Sequence, residues 1–351
     1  VLSNGSFYSA YTPYQPEISQ GTLQAIYEYQ SLICALTGME ASNASHYDGG
    51  TAAAEAVIMA YYHFRQKRSK VLLSRFINPQ YAEIIHTYTD DLPKIQVKEL
   101  NSNDLMTEAI DSDTALVVIQ YPDFLGNIND YTQLIAIAHE QGALVCVIAN
   151  PTALALLTPP GEWGADIVVG EGQPLGIPMS YGGPGLGFFA TNKKLIRKIA
   201  GRIAGETVDA NGNRGYVLTL TAREQHIRRE RATSNICTNQ GLLALAATVY
   251  LSALGKHGFK QVANLCYQNA HYAADQLNKL DGYTLISNEP FFHEFVVSCP
   301  EPVAEINQHL LEHNIIGGYD LTELLPDVKN PMLLAFTEFN DRAQIDFFVG
   351  A

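Results

Sequence analysis

The pattern that most constrains this chain is a series of short apolar segments separated by stretches of helical length. VLLS (71–74), TALVVIQYP (114–122), ALVCVIA (143–149), DIVVG (166–170) and GFFAT (187–191) are rich in β-branched and aromatic residues, as buried strands are. Residues 79–88, 102–111 and 129–141 read as helices, and KIQVKEL (94–100) alternates as an exposed strand does. Apolar strands separated by helices imply a mainly parallel sheet covered on both faces, so the expected fold class is α/β. Ligands of such sheets sit beyond the carboxyl ends of the strands. That edge holds Tyr121-Pro122-Asp123, Ala149-Asn150-Pro151 and Glu171-Gly172-Gln173.

Before the sheet pattern, a helix from about Ser19 to Leu36 has Leu23, Ile26, Tyr27, Ile33 and Cys34 near one face, and Gly38 stops it. After it, residues 192–215 are basic and glycine-rich, with Lys193 and Lys194 expected to begin a surface helix. ICTNQGLLALAATVYLSALG (236–255) reads as a long apolar helix ended by Gly255. A helix (258–280), strands (283–287 and 294–298), a helix (302–314), a short strand (332–336) and a last helix from about Asp341 then form a small module. The expected division is an N-terminal loop and helix (1–40), a large domain (41–255) and a smaller C-terminal α/β domain (256–351).

Composition excludes several classes. At 351 residues, 47% of them hydrophobic, the chain can bury a large core and form two domains. A formal charge of −14 opposes binding to phosphate backbones, so no nucleic-acid partner is expected. No apolar run reads as a membrane span and no stretch reads as a signal peptide, so no signal peptide, no membrane partner and a cytoplasmic location are expected. Val1 opens in the middle of polar, aromatic sequence, so further chain is expected before it. The five cysteines (34, 146, 237, 266 and 299) lack CxxC spacing and read as buried, reduced thiols, and no metal site is expected.

Four stretches carry candidate chemistry. GSFYSAYTPYQPE (5–17) is a proline-stiffened loop, either a packed docking segment or a lining of a site by Tyr11, Tyr14, Gln15 and Glu17. Asp48-Gly49-Gly50-Thr51 opens a helix and offers backbone N–H groups and a hydroxyl to an anion; the other reading is a tight turn with close helix packing. The third stretch comprises the turns at the strand ends, including Asn150 and Gln173. TAREQHIRRERATSNICTNQG (221–241) reads either as a solvated, salt-bridged helix or as a set of groups that bind a carboxylate, a phosphate or a partner. Those groups are Arg223, His226, Arg228, Arg229, Ser234 and Asn235.

YTPYQPEISQGTLQAIYEYQ (11–30), YDGGTAAAEA (47–56), EGQPLGIPMSYGGPGLGF (171–188) and REQHIRRERATSNICTNQ (223–240) together resemble one family, from about Tyr8 to the C-terminus. That family is glycine decarboxylase, the P-protein of the glycine cleavage system, in its N-terminal-half or subunit 1 form. The resemblance implies an aminotransferase-like fold of pyridoxal-phosphate fold type I. It implies a homologous, lysine-bearing subunit 2 that holds the pyridoxal phosphate, decarboxylates glycine and passes the aminomethyl group to the lipoyl H-protein, in a pairing of two αβ units. Chains of this fold that bind the cofactor carry a Schiff-base lysine near position 173 and an aspartate near position 150 against the pyridine nitrogen. Here those positions are Gln173 and Asn150, and no lysine lies between Asp166 and Ala190. A Schiff base needs a primary amine. The expectation is a subunit with no catalytic residue of its own and no covalently bound cofactor, with Gly49, Gly50, Thr51, Asn150 and Gln173 as vestigial positions. Two other classes stand beside it: a self-sufficient fold type I decarboxylase or desulfurase whose lysine lies elsewhere, and a non-catalytic binding protein on the same scaffold. A yellow internal aldimine trapped by borohydride would mark the second class, and failure to co-purify with a lysine-bearing homologue the third.

Overall fold

The structure is a computed structural model that describes every residue except Pro93, Ala222, Arg223 and 287–289. The chain divides into two compact units, 1–120 with 131–256 and 121–130 with 257–351. The segment 121–130, just after the strand that ends at Tyr121, therefore groups with the C-terminal residues.

In the first unit the elements run α1 (Gln20–Thr37), β1 (Ala41–Ser42), α2 (Gly49–His63), β2 (Lys70–Ser74), α3 (Pro79–Thr89), β3 (Gln96–Leu100), α4 (Asn103–Ala109), β4 (Thr114–Tyr121), α5 (Thr132–Glu140), β5 (Leu144–Ala149), β6 (Ile167–Glu171) and β7 (Gly187–Thr191). The seven strands lie in the order β1-β7-β6-β5-β4-β2-β3. β2 is parallel to β3 and β4, and β5 to β6, whereas β7 runs antiparallel to β6 and pairs Val169 with Phe189. Both sets of alternate strand residues are buried: Val71, Leu116, Val118, Ile148 and Val169 pack with α2, while Leu72, Val117, Val147 and Val168 are equally inaccessible on the other face. Helices therefore cover both faces, as the continuous apolar runs imply. α2 is buried almost all round, which its small Ala52, Ala53, Ala54 and Ala56 permit.

Several local expectations are corrected. Residues 193–198 form successive turns rather than a helix, with i→i+3 bonds such as Lys198 N–H to the Leu195 carbonyl (2.7 Å). Leu195 and Ile199 are buried between Thr191 and Gly201, and Gly201, with positive φ, ends the segment. Within 192–215 and just beyond it lies a hairpin, β8 (Ala204–Val208) and β9 (Arg214–Leu218). Asp209 closes its tip by accepting bonds from the Asn211 and Asn213 backbone N–H groups, both at 2.8 Å. The 221–241 stretch is not one solvated helix: among its described residues lie α6 (Gln225–Arg228) and a 3-10 turn (Arg229–Arg231), and the chain from Ala232 to Gln240 is not helical.

The apolar helix α7 (Gly241–Leu277) starts five residues later than expected. Residues 237–240 are drawn into ties: Asn239 Nδ2 donates to the Ala44 carbonyl (3.1 Å), and Gln240 N–H to Ser45 Oγ (2.9 Å). By length and composition alone α7 could cross a membrane. Gly255 (φ 60°, ψ −178°) breaks its helical geometry, and Ala244, Ala247, Ala263 and Ala273 are buried within the protein, so we read it as a core helix. In α1 the buried face carries Tyr29 beside Leu23, Ile26 and Ile33, whereas Tyr27 and Cys34 are only half-buried.

The second unit contains β10 (Thr284–Leu285), β11 (Glu294–Ser298), α8 (Val303–Glu312), β12 (Tyr319–Asp320), β13 (Pro331–Ala335) and α9 (Arg342–Gly350). Its sheet, β10-β11-β13-β12, is antiparallel and packs Phe295, Val297 and Leu334 against Ala270, Ala273 and Ile345. All five cysteines are free thiols, and three are buried; Cys237 is exposed and Cys34 half-buried, contrary to expectation.

Candidate functional site

At the carboxyl edge of the large sheet, α2 begins with a reciprocal cap. Asp48 Oδ1 accepts the Thr51 N–H (2.7 Å), and Thr51 Oγ1 accepts the Asp48 N–H (3.2 Å). The next helix donor, Gly49 N–H, is taken by a side chain far away in sequence, Glu171 Oε2 at 2.9 Å. The other oxygen of Glu171 accepts from Gln173 N–H (2.9 Å) and Leu186 N–H (2.8 Å). A carboxylate at a helix N-terminus satisfies donors that have no intrahelical partner and interacts favourably with the helix dipole.

The glycines around it are there for closeness. A Cβ on Gly49 would collide with the Tyr81 hydroxyl, and one on Gly187 with the Asp48 carbonyl. Burial and the nearby Glu171 charge push the Tyr81 phenol up. Gln173 turns its amide back onto the Ile177 carbonyl, and Asn150 Oδ1 caps a local turn through Thr152 N–H (3.0 Å) and Ala153 N–H (3.2 Å). Gly49 and Gln173 thus meet around Glu171, Thr51 is bound to Asp48, and Asn150 serves its own loop.

A second cluster ties the tyrosine loop down. Arg202 is 2% exposed and makes a buried ion pair with Glu224. Its Nη2 donates to the Tyr14 hydroxyl and to the Cys237 carbonyl, each at 2.8 Å. His226 meets Tyr14 edge-on, with ring centroids 6.3 Å apart, and its Nδ1 lies 3.6 Å from Glu224. Thr12 is buried and bonded to Asn239, while Tyr11 (68%) and Tyr14 (60%) remain largely exposed, as do Gln15 and Glu17. The loop is fixed from below and offers its aromatic face outward.

Other candidates are dispersed. Ser234 donates to Glu55 Oε1 (2.7 Å) on α2, and burial pushes that carboxyl up to about 7 despite this bond. Arg228, Arg229 and Asn235 are exposed, and Arg223 lies outside the described residues. Among the described residues no three His, Cys, Asp or Glu side chains gather as metal ligands. Sequence reasoning missed Glu171, Arg202, Glu224 and Glu55 as structural members of these clusters. Single charged residues in apolar or glycine-rich settings (Gly170-Glu171-Gly172, Gly201-Arg202-Ile203, Ala54-Glu55-Ala56) were the available signal.

The fold places the chain among proteins of pyridoxal-phosphate fold type I. It superposes on a NifS-like protein with a TM-score of 0.68 over 94% of this chain and 87% of that one at 13% identity, which speaks to the fold alone. A solved glycine decarboxylase (P-protein) of the glycine cleavage system, in inhibitor-bound form, matches with a TM-score of 0.91 and 39% identity, over 99% of this chain and 79% of that one. The family model described as glycine cleavage system P-protein matches residues 1–349, and the chain belongs to that family. Among its relatives, a probable glycine dehydrogenase (decarboxylating) subunit 1 of Thermomicrobium roseum is 53% identical over all of this chain and 80% of its own length. The protein of the same name from Geobacillus kaustophilus is 52% identical over 99% of this chain and 78% of its own.

Pyridoxal phosphate held at these positions would need an amine, a carboxylate beside the ring nitrogen and open N–H groups for its phosphate. Gln173 supplies no amine and Asn150 no carboxylate, and Glu171 and Asp48 already take the Gly49 and Thr51 N–H groups of the helix start, so the residues present do not fit the cofactor.

Proposed function

We propose that this chain acts as subunit 1 of glycine dehydrogenase (decarboxylating), an oxidoreductase-class enzyme subunit of the glycine cleavage system, and that it works without a cofactor of its own. The observation that carries the reading is a family match over nearly the whole chain on a strand edge with no lysine, its helix start taken by Glu171. In this reading a homologous lysine-bearing subunit 2 holds the pyridoxal phosphate, and the lipoyl H-protein receives the aminomethyl group. This chain's residues complete the fold and line the approach to the partner's site. Tyr11, Tyr14, Gln15 and Glu17 are exposed on a loop held by Arg202 and Asn239, so they can orient a substrate or shield it from water at low entropy cost.

The test is reconstitution with a lysine-bearing homologue. The isolated chain is expected to show no glycine decarboxylation or glycine–bicarbonate exchange, and the mixture to gain both. Borohydride reduction of the active complex followed by mass spectrometry should place the pyridoxyl group on the partner alone. A pyridoxyl-lysine on this chain would refute the reading.

A further inference from the structure

We infer that Glu171 is a built-in ligand: its carboxylate closes the anion cradle at the start of α2, so this chain takes up no free phosphate or phosphorylated small molecule there, and removing that carboxylate opens such a site. The inference does not rest on the subunit 1 reading, since it follows from the hydrogen bonds whatever the chain's activity.

Three backbone N–H groups from three separate segments converge on one carboxylate. Gly49 belongs to the first turn of α2, Gln173 to the turn after β6, and Leu186 to the glycine-rich run before β7, with donor–acceptor distances of 2.9, 2.9 and 2.8 Å. Convergent main-chain donors at the N-terminus of a 15-residue helix are the arrangement that favours an oxyanion. The cradle is shaped for close approach, because a Cβ on Gly185 would stand 2.9 Å from Glu171 Oε2 and 2.9 Å from Asp48 Cβ. Asp48 already takes the Thr51 N–H and lies within hydrogen-bond reach (3.1 Å) of its hydroxyl, so an incoming phosphate would find the Gly49, Thr51, Gln173 and Leu186 N–H groups used and two carboxylates facing it. Tyr81 fills the space over Gly49. The glycine-rich turn is thus an anion site in form that the chain itself occupies.

The experiment uses the full chain and inorganic phosphate, with chloride at matched ionic strength as reference. In the wild type, phosphate at about 50 mM should not shift Tm relative to chloride, and the Gly49, Gln173 and Leu186 amides should exchange slowly in both buffers. In Glu171→Ala these amides should exchange at least about tenfold faster in chloride and regain protection in phosphate. Phosphate should also raise the variant's Tm by roughly 3–5 °C. Phosphate-dependent stabilisation of the wild type, or a folded Glu171→Ala with no phosphate response, overturns the inference. If Glu171→Ala does not fold, Glu171→Gln decides. Its one carbonyl oxygen can serve Gln173 and Leu186 but its NH2 cannot accept from Gly49, so protection should be lost at Gly49 alone, and phosphate should not restore it while the amide still fills the cradle. Unchanged Gly49 protection in chloride, or protection that phosphate restores with the amide in place, contradicts it.

Discussion

Arg202 donates a 2.8 Å hydrogen bond to the Tyr14 hydroxyl, and its guanidinium carbon lies 5.1 Å from the centre of the Tyr14 ring. An exposed tyrosine is thereby fixed by a buried cation. The same guanidinium holds Glu224 and the Cys237 carbonyl, so three segments distant in sequence share one residue. Arginine suits this position because its planar fork can meet several acceptors at once, which a lysine ammonium does less well.

Replacing Arg202 by Met should therefore remove the buried counter-charge that the guanidinium gives Glu224. The expected loss is about 3–5 kcal/mol in urea unfolding, against about 1 kcal/mol for Tyr14→Phe, which removes one hydrogen bond. Adding Glu224→Gln to Arg202→Met should recover part of the loss. Equal and additive effects of the two substitutions would contradict the shared-cluster account.

The pH dependence of stability should carry the mark of Glu55. Its folded-state carboxyl is raised from 4.5 to about 7 by burial. A raised acid contributes stability that is fully present below the unfolded value and is lost as pH rises through the folded one. Stability attributable to Glu55 should thus fall between pH 4.5 and about 7, by on the order of 3 kcal/mol at most. Glu55→Gln keeps an acceptor for Ser234 and removes the charge. The variant should gain on the wild type at pH 8 relative to pH 5, as read from unfolding midpoints at the two pH values.

The α/β class and the strand ends were readable because continuous apolar runs of strand length, separated by helices, admit few other arrangements. The charged stretch 221–241 was not readable, because its pattern suits a solvated helix. Glu224 departs to a buried Arg202, and Asn239 and Gln240 are tied to Ala44 and Ser45, which local periodicity does not encode. The missing lysine at Gln173 was visible directly, whereas its counterpart, a carboxylate from Glu171 on the Gly49 N–H, depends on a contact across 122 residues. The β8–β9 hairpin had a readable turn in Asp209-Ala-Asn-Gly-Asn213, overshadowed by the basic residues around it.

Glycine substitutions separate close approach from mere flexibility. Gly187→Ala would drive its Cβ into the Asp48 carbonyl and to 2.8 Å from His46 Cβ, and neither position has a flexible end to yield. The expected destabilisation is roughly 2–3 kcal/mol or more. Gly21 lies in α1, where an added methyl would have nothing within 4 Å, so Gly21→Ala should stabilise by about 0.5–1 kcal/mol. Thermal unfolding of the two variants should move in opposite directions.

The exposed members of the tyrosine loop separate a site role from packing. Tyr14→Phe alone is ambiguous, because its hydroxyl also holds Arg202. Tyr11 and Glu17 are cleaner probes: both are exposed, and among the described residues neither side chain makes a hydrogen bond or ion pair. Tyr11→Phe and Glu17→Gln should leave the isolated chain's unfolding midpoint within about 0.5 kcal/mol of wild type. If these groups face the partner's site, each should lower kcat of the reconstituted complex by at least several-fold, with assembly unchanged by sedimentation. Losing a hydrogen bond made only in the transition state lowers kcat and kcat/KM equally, whereas losing one made equally to bound substrate raises KM alone. Wild-type kcat and KM in both variants, with intact assembly, would assign the loop to packing and withdraw Tyr11 and Glu17 from the reaction.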